Sequence, residues 1–207
     1  MNQQDDIAGN EKIYSDLLRQ LSREDLEKRA VLKDLSTQPD GRIIVASFAR
    51  NYLVGGEGVT ALDAGPVSFQ QRLAAVSYLL SDGSGNPTLN FVPFGHLGGF
   101  NIGRDRHGDQ SLKQPILKKF SDNYELFAEA ALRIGGIQKE KDTFGKHIWL
   151  FHAFPKLPIQ LTFYESDEEF PADVHVLFDS KALDFMGMKC LGFLPDYFTT
   201  TLLGAVS

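Results

Sequence analysis

The order of two kinds of hydrophobic spacing constrains the fold of this chain most strongly. Apolar residues recur at helical intervals over 11–35, 67–81 and 112–135. Short runs of the kind that form strands occupy 42–64 and 147–178 instead. Strands that are grouped between helices, rather than alternating with them one by one, favour antiparallel sheets. The sequence therefore predicts an α+β fold, with antiparallel sheet segments packed against helices.

Glycine and proline mark boundaries within these segments. Glycines 135–136 are expected to end the helical stretch before them, because glycine readily adopts the left-handed conformation at a helix C-terminus. Pro195 is expected to divide the last apolar stretch into helices over 180–191 and 196–203, since proline cannot continue a helix. The run at 81–87 reads SDGSGNP and predicts an exposed loop.

Length and composition fit a single domain over residues 1–207. A chain of 207 residues can bury roughly 70% of its unfolded surface, so it needs no disulfide or metal to fold. The stretch 1–10 is polar and acidic, which predicts a disordered tail rather than an export signal. The sequence has no apolar run of about 18 residues, the length that a membrane-spanning helix needs. We therefore expect a cytoplasmic protein that has no membrane partner.

Charge and cysteine content exclude further classes of function. The 27 acidic residues outnumber the 21 basic ones and give a net charge of −6, which repels phosphate backbones. The sequence also lacks a segregated basic face, so nucleic acid is not expected as a partner. Cys190 is the one cysteine, and a single thiol forms neither an internal disulfide nor a four-cysteine iron–sulfur cluster. We expect no cofactor to be bound through a cysteine cluster of this chain.

Crowded carboxylates form the first candidate site. Five acidic residues fall within nine positions, 165–173, between two predicted strands. Like charges at this density repel unless protons, hydrogen-bond donors or a cation stabilise them, and oxygen-rich clusters suit Mg²⁺ or Ca²⁺. The candidate metal ligands are Asp167, Glu168, Glu169 and, one strand later, Asp179. The alternatives are an exposed acidic turn and a patch that docks a partner.

Histidine extends this metal hypothesis. The five histidines do not show the H-E-x-x-H spacing of metalloproteases. If the strands over 147–154 and 174–179 pair in one sheet, His147 or His152 shares a face with His175 near the acidic turn. That arrangement would create a mixed histidine and carboxylate metal site.

A glycine-rich segment forms the second candidate site. The stretch 89–111 combines five glycines with two histidines and two arginines. Glycine lets a backbone approach a ligand closely, and the neighbouring cations suit a carboxylate or a phosphate. The candidate ligand-binding residues are His96, Gly98, Gly99, Arg104 and Arg106. Because the segment matches neither G-x-G-x-x-G nor the P-loop, the alternative is a structural loop packed by its own apolar side chains.

Four longer strings are more distinctive than any short motif. They are AVSYLL at 75–80, FVPFGHLGGF at 91–100, ALRIGGI at 131–137 and FPKLPIQLTFYESDEEFPA at 154–172. Through these strings the chain resembles, over close to its full length, an uncharacterised prokaryotic family known as domain of unknown function 3786. The family has no agreed activity, so the resemblance identifies no catalytic residue.

The context of that family is similar to that of proteins from anaerobic bacteria and archaea. Some members resemble fusions to a small cysteine-rich iron–sulfur module. The resemblance therefore implies a role near iron–sulfur or corrinoid one-carbon metabolism. Since this chain has no cysteine cluster, the implied partner is a separate iron–sulfur or corrinoid protein.

Three hypotheses about function remain open. The first is a cytoplasmic binding or accessory module that serves iron–sulfur or corrinoid-linked metabolism in an anaerobic prokaryote. The second is a metal-dependent enzyme that uses the carboxylates of 165–179. The third is a structural subunit that presents some of its sixteen phenylalanines as an interface. The sequence predicts no catalytic residue, cofactor or oligomeric state.

Overall fold

The strands and helices are described over residues 3–99, 106–141 and 145–206 of a computed structural model, with backbone alone for 3–10, 98–99, 106–111 and 141. The strands are β1 (Ile43–Ser47), β2 (Arg50–Gly55), β3 (Gly58–Ala61), β4 (Phe91–Pro93), β5 (Ile137–Lys141), β6 (Lys146–Phe154), β7 (Leu157–Tyr164) and β8 (Asp173–Asp179). The helices are α1 (Gln3–Leu21), α2 (Leu26–Lys33), α3 (Phe69–Leu80), α4 (Arg106–Phe120), α5 (Tyr124–Arg133), α6 (Ala182–Phe185), α7 (Met188–Leu191) and α8 (Leu194–Gly204). A 3₁₀ helix spans Phe94–Gly99.

Two antiparallel sheets organise this part of the chain. The first has the strand order β1-β2-β3 and lies within 42–64, where the sequence predicts short strands. The second has the order β4-β8-β7-β6-β5, and all its neighbouring strands are antiparallel. These sheets and the surrounding helices confirm the predicted α+β class.

The sequence does not predict β4 or β5. The strand β5 reads IQKEK and forms an exposed edge of the larger sheet. Charged residues are depleted in strands as a whole, yet at an edge they prevent pairing with another chain. The strand β4 is three residues long and runs directly into the 3₁₀ helix, so it shows no alternating pattern.

Aromatic side chains join the helices to one face of the larger sheet. Phe127 of α5 packs against Trp149 of β6 and Phe163 of β7, with ring centroids 6.0 and 4.8 Å apart. Phe198 of α8 packs against Phe151 of β6, with ring centroids 5.0 Å apart. Since Trp149, Phe151 and Phe163 are almost fully buried, this face forms the centre of the core.

Several helix boundaries agree with local sequence signals. Ser68 caps α3 and forms a reciprocal capping box with Gln71. Gly135 follows α5 with a φ of 78°, which confirms the predicted glycine stop. The helical stretch predicted over 112–135 is divided into α4 and α5, because the side chain of Asn123 caps a new helix.

The N-terminal and C-terminal helices differ from the expected bounds. Pro195 lies in the first turn of α8 rather than before a helix, a position where its missing N–H costs no hydrogen bond. The single helix predicted over 180–191 is wrong, since the extended backbone of Met186 separates α6 from α7. The helix α1 begins at Gln3, inside the stretch 1–10 for which the sequence predicts a tail.

Candidate functional site

A strained turn joins β1 to β2. Ser47 pairs with Arg50 across the hairpin, so the turn consists of Phe48 and Ala49, whose φ angles are 46° and 63°. Two-residue hairpins with positive φ at both positions normally contain Asn-Gly. For a residue with a Cβ atom, the left-handed conformation costs roughly 1–2 kcal/mol. Strain of this kind persists only where the surrounding structure holds it, and it is frequent at ligand-binding sites.

Three other elements hold this turn. The backbone N–H of Phe48 donates to the carbonyl of His152 in β6 at 3.1 Å. The Phe48 ring lies edge-on to Tyr197 of α8, with centroids 5.1 Å apart. Ala49 packs on Gly135, where an added Cβ would lie 2.9 Å from the Ala49 Cβ. The turn is therefore fixed against β6, α8 and the end of α5.

A cavity of about 410 Å³ opens beside this turn and is called the hairpin cavity below. Its wall is built from the β1–β2 hairpin, the start of α3 and the C-terminal parts of α5 and α8. The polar lining side chains are Ser47, Arg50, Tyr52, Ser68, Gln70, Gln71, Arg133, Tyr197, Thr200 and Thr201. Phe48 and Ile134 add apolar surface. The volume falls within the range of about 300–1,000 Å³ that small-molecule sites occupy, and the lining is more polar than is usual for such sites.

Three buried hydroxyl groups form a chain along the wall of the hairpin cavity. Ser47 Oγ lies 2.8 Å from Tyr197 Oη, which lies 3.5 Å from Tyr52 Oη. Burial is the main cause that raises the pKa of Tyr197 above its usual value. The Tyr197 hydroxyl therefore keeps its proton at neutral pH and remains a hydrogen-bond donor.

Two guanidinium groups flank these hydroxyls. Arg50 donates to both carboxylate oxygens of Asp63, at 2.8 and 2.9 Å, and to the carbonyl of Pro66. The Arg50 guanidinium is also the main cause that lowers the pKa of Asp63 to about 2. Arg133 donates to the carbonyl of Ala205 at 2.8 Å and to Glu129, four residues earlier. Among the described residues that line the hairpin cavity, these are the charged ones, and both are positive.

The predicted glycine-rich site lies elsewhere. His96 is exposed on the 3₁₀ helix that ends with Gly98 and Gly99. Arg106 begins α4, where the backbone alone is described, and Arg104 lies outside the described residues. None of the described members lines the hairpin cavity.

Packing accounts for part of the glycine-rich segment. Leu97 is fully buried in the 3₁₀ helix. The Phe94 ring lies edge-on to Phe178 of β8, with centroids 5.4 Å apart. These contacts favour the alternative of a loop packed by its own apolar side chains, as far as the described residues show.

The predicted carboxylate ligands are not brought together. Asp167 accepts hydrogen bonds from the backbone N–H groups of Glu169 and Phe170 at 2.8 and 2.7 Å, and so closes a tight turn. Glu168 and Glu169 are exposed. Asp179 lies at the far end of β8, which at 3.3 Å per residue is roughly 20 Å along the strand from its start. In the described parts of the chain, no three His, Cys, Asp or Glu side chains form a group that can hold a metal ion.

Asp179 stabilises a loop instead. Its buried carboxylate accepts hydrogen bonds from the N–H groups of Leu89 and Lys181 at 2.6 and 2.9 Å. The hydroxyl of Thr88 lies 3.1 Å from both carboxylate oxygens. The carboxylate thereby fixes the segment before β4, in which Leu89 has a left-handed φ of 57°.

We expect Asp179→Asn to lower the free energy of unfolding by about 2 kcal/mol, because an amide offers one acceptor oxygen where the carboxylate offers two. Urea denaturation measures this loss. Asp167→Asn, which changes an exposed turn, serves as the control and should cost about 1 kcal/mol or less. A bound divalent ion that Asp179→Asn releases, measured by inductively coupled plasma mass spectrometry, would contradict the purely structural role.

Two histidines do meet the acidic segment, each through one carboxylate. Nε2 of the half-exposed His175 lies 3.1 Å from Oδ2 of Asp173.

Nε2 of buried His147 lies 2.6 Å from Oε1 of Glu165, and the imidazole stacks on Tyr124 with centroids 3.6 Å apart. The Tyr124 hydroxyl accepts hydrogen bonds from Gln138 and from the indole of Trp149. These contacts make His147 part of a buried polar network at the end of the sheet.

The shared histidine face is formed by His152 and not by His147. His147 of β6 lies opposite Phe163 of β7, whereas His175 of β8 lies opposite Thr162, the next residue along β7. Because successive strand residues point to opposite faces, His147 and His175 are on different faces of the sheet.

His152 of β6 lies opposite Pro158 of β7, so it is on the face of His175. The four-residue step from Pro158 to Thr162 places it about 13 Å from His175 along the strand, too far to share a metal ion.

The structure thus defines an α+β domain with a small polar cavity between its three-stranded sheet and the helices α3, α5 and α8. The chain matches the family described as Domain of unknown function (DUF3786) over residues 25–201, and it belongs to that family. The search of curated proteins and the search of solved structures found no match. Within the described residues, no helix is both long and apolar enough to cross a membrane.

Proposed function

We propose that this protein is a binding module whose small-molecule ligand occupies the hairpin cavity. The observation that carries the proposal is the strained Phe48–Ala49 turn at the edge of a cavity lined by a buried hydroxyl chain. Strained turns and buried polar groups both lower stability, and proteins maintain such features most often where they bind a ligand. In the described structure the two occur together on the wall of the hairpin cavity, which is an open space of ligand size.

Binding fits the lining of this cavity better than catalysis. In the described part of the chain, the lining includes no histidine, cysteine or carboxylate. Those are the side chains that most often act as general acids and bases, and a serine or threonine nucleophile needs such a base beside it. Hydroxyl, amide and guanidinium groups are suited to orienting a ligand through hydrogen bonds.

The family resemblance extends this proposal to a cellular role. We infer an accessory function in iron–sulfur or corrinoid-linked metabolism of an anaerobic prokaryote, in the cytoplasm. The partner would be an iron–sulfur or corrinoid protein, and the module would bring a small ligand to it or sense that ligand. Native mass spectrometry of complexes purified without oxygen tests for this partner. A partner chain that contains neither cofactor would contradict the inferred role.

Filling the hairpin cavity should abolish ligand retention. Thr200 lies on the exposed side of α8 and lines the cavity, so Thr200→Trp places an indole in the space of the ligand. We expect native mass spectrometry to find a small molecule on the wild-type protein and a bare chain for the variant. Val31→Trp, at an exposed position of α2, is the matched control and should retain the ligand. A bare wild-type chain, or equal retention in Thr200→Trp, would contradict the proposed function.

A further inference from the structure

The hydroxyl chain of the hairpin cavity has one more O–H donor than it has hydrogen bonds. Ser47, Tyr52 and Tyr197 contribute three O–H donors, and two contacts join them. Whichever direction these two hydrogen bonds take, one O–H remains without an acceptor in the described structure. All three hydroxyl residues line the cavity and are almost fully buried. The remaining donor is therefore available to a ligand atom that accepts a hydrogen bond.

Arg133 adds donors to the same cavity. A guanidinium carries five N–H donors. Arg133 donates once to the carbonyl of Ala205 and once to its ion-pair partner Glu129, and because its side chain is more than half exposed, the three remaining donors are left to water or to a ligand. Glu129 is not among the lining residues of the cavity, whereas Arg133 is. Because guanidinium geometry matches two-oxygen anions, the free donors favour a carboxylate or a phosphate.

From these two sets of donors we infer that the hairpin cavity binds an oxyanion group, which is held by Arg133 and by the free hydroxyl of the Ser47–Tyr197–Tyr52 chain. This inference rests on the proposed function and names the chemical class of its ligand. The described lining residues include no carboxylate, and the carboxylates of Glu129 and Asp63 are each neutralised by an ion pair with a lining arginine.

Calorimetric titration of the whole chain with matched probes tests the inference. Succinate and succinamide have closely similar shapes and differ in charge, and inorganic phosphate separates the two kinds of oxyanion. We expect succinate or phosphate to bind at least about tenfold more tightly than succinamide. Arg133→Gln should remove most of this preference. Arg19→Gln, at an exposed ion pair on α1, is the control and should leave the preference unchanged.

The outcomes separate this inference from the proposed function. Equal binding of succinate and succinamide, or an unchanged preference in Arg133→Gln, would overturn the oxyanion assignment and leave the cavity as a site for neutral ligands. Failure of both anions to bind at millimolar concentration would overturn it as well. The proposed function is tested separately, by whether Thr200→Trp removes the small molecule that native mass spectrometry finds on the wild-type protein. That measurement does not depend on the charge of the ligand.

Discussion

Replacing Gly135 by alanine is expected to lower the free energy of unfolding by about 3 kcal/mol. The first cause is conformational, because Gly135 has a φ of 78°, which a residue with a Cβ atom adopts only with strain. The second is steric, because the new Cβ would lie 2.9 Å from the Cβ of Ala49 in the hairpin turn. Ala49 cannot move away easily, since the N–H of Phe48 is bonded to His152. Chemical denaturation measures the loss.

A second glycine separates the two causes. Gly85 has nearly the same φ, 80°, and an added Cβ there meets no atom within 4 Å. Gly85→Ala should therefore show the conformational cost alone, about 1 kcal/mol. In a double-mutant cycle, Ala49→Gly should recover more than about 1 kcal/mol of the Gly135→Ala loss by removing the opposing methyl group. Equal losses at Gly85 and Gly135, with no recovery, would show that the contact with Ala49 contributes nothing.

The same glycine shows how far the sequence predicts the fold. Glycines 135–136 predict the end of α5, because a helix stop depends on local backbone conformation. The contact between Gly135 and Ala49 joins residues far apart in sequence, and no local pattern records it. Helices and the longer strands are predictable in the same way, through periodicity. The exposed, charged strand β5 follows no such pattern.

Local sequence patterns do not predict the candidate site, for a related reason. Its residues come from the β1–β2 hairpin and from three helices, so they fall into four short stretches that are far apart in the sequence. Phe48 and Ala49 also lack the Asn-Gly signature that would predict a turn of their type. Clusters such as 165–173 are conspicuous in a sequence because they are contiguous. In the fold, Asp167 bonds its own turn, and Asp179 lies at the other end of a strand.

The second prediction with a large expected effect on stability concerns a buried lysine. Lys33 ends α2 with no exposed surface, and its ammonium donates to Ser81 Oγ and to the carbonyl of Gly83, both at 2.7 Å. Its nitrogen also lies over the rings of Tyr78 and Phe185, at 5.3 and 5.4 Å from their centroids. Both hydrogen-bond acceptors are uncharged. Loss of hydration is the main cause that lowers the pKa of Lys33 from 10.5 to about 8, and nearby cationic side chains contribute to this shift.

The shifted pKa makes stability depend on pH in one window. Below pH 8 both the folded and the unfolded chain hold the Lys33 proton, and the fold bears the full cost of a buried charge. Between pH 8 and 10.5 the unfolded chain keeps a proton that the folded protein has lost, so the free energy of unfolding rises with pH. The shift from 10.5 to about 8 corresponds to a total gain of about 3 kcal/mol.

Lys33→Met should remove this dependence, because methionine fills a similar volume without a titrating group. We expect the free energy of unfolding of the wild type, relative to Lys33→Met, to rise by about 3 kcal/mol between pH 7 and 11. Buried tyrosines such as Tyr78 also titrate at high pH, but they are present in both proteins and largely cancel in the difference. Urea denaturation at a series of pH values gives this difference directly.

Lys28→Met provides the matched control, since Lys28 lies on the exposed side of the same helix. Its difference from the wild type should not show the rise that Lys33→Met shows. A flat difference for both variants would mean that Lys33 stays charged in the fold to high pH, held by Ser81, Gly83 and the two aromatic rings. The ammonium would then stabilise the loop at 81–87 as a permanent charge. A rising difference for Lys33→Met alone would show that the loop is held by an amine that loses its charge near pH 8 and keeps two N–H donors for its two acceptors.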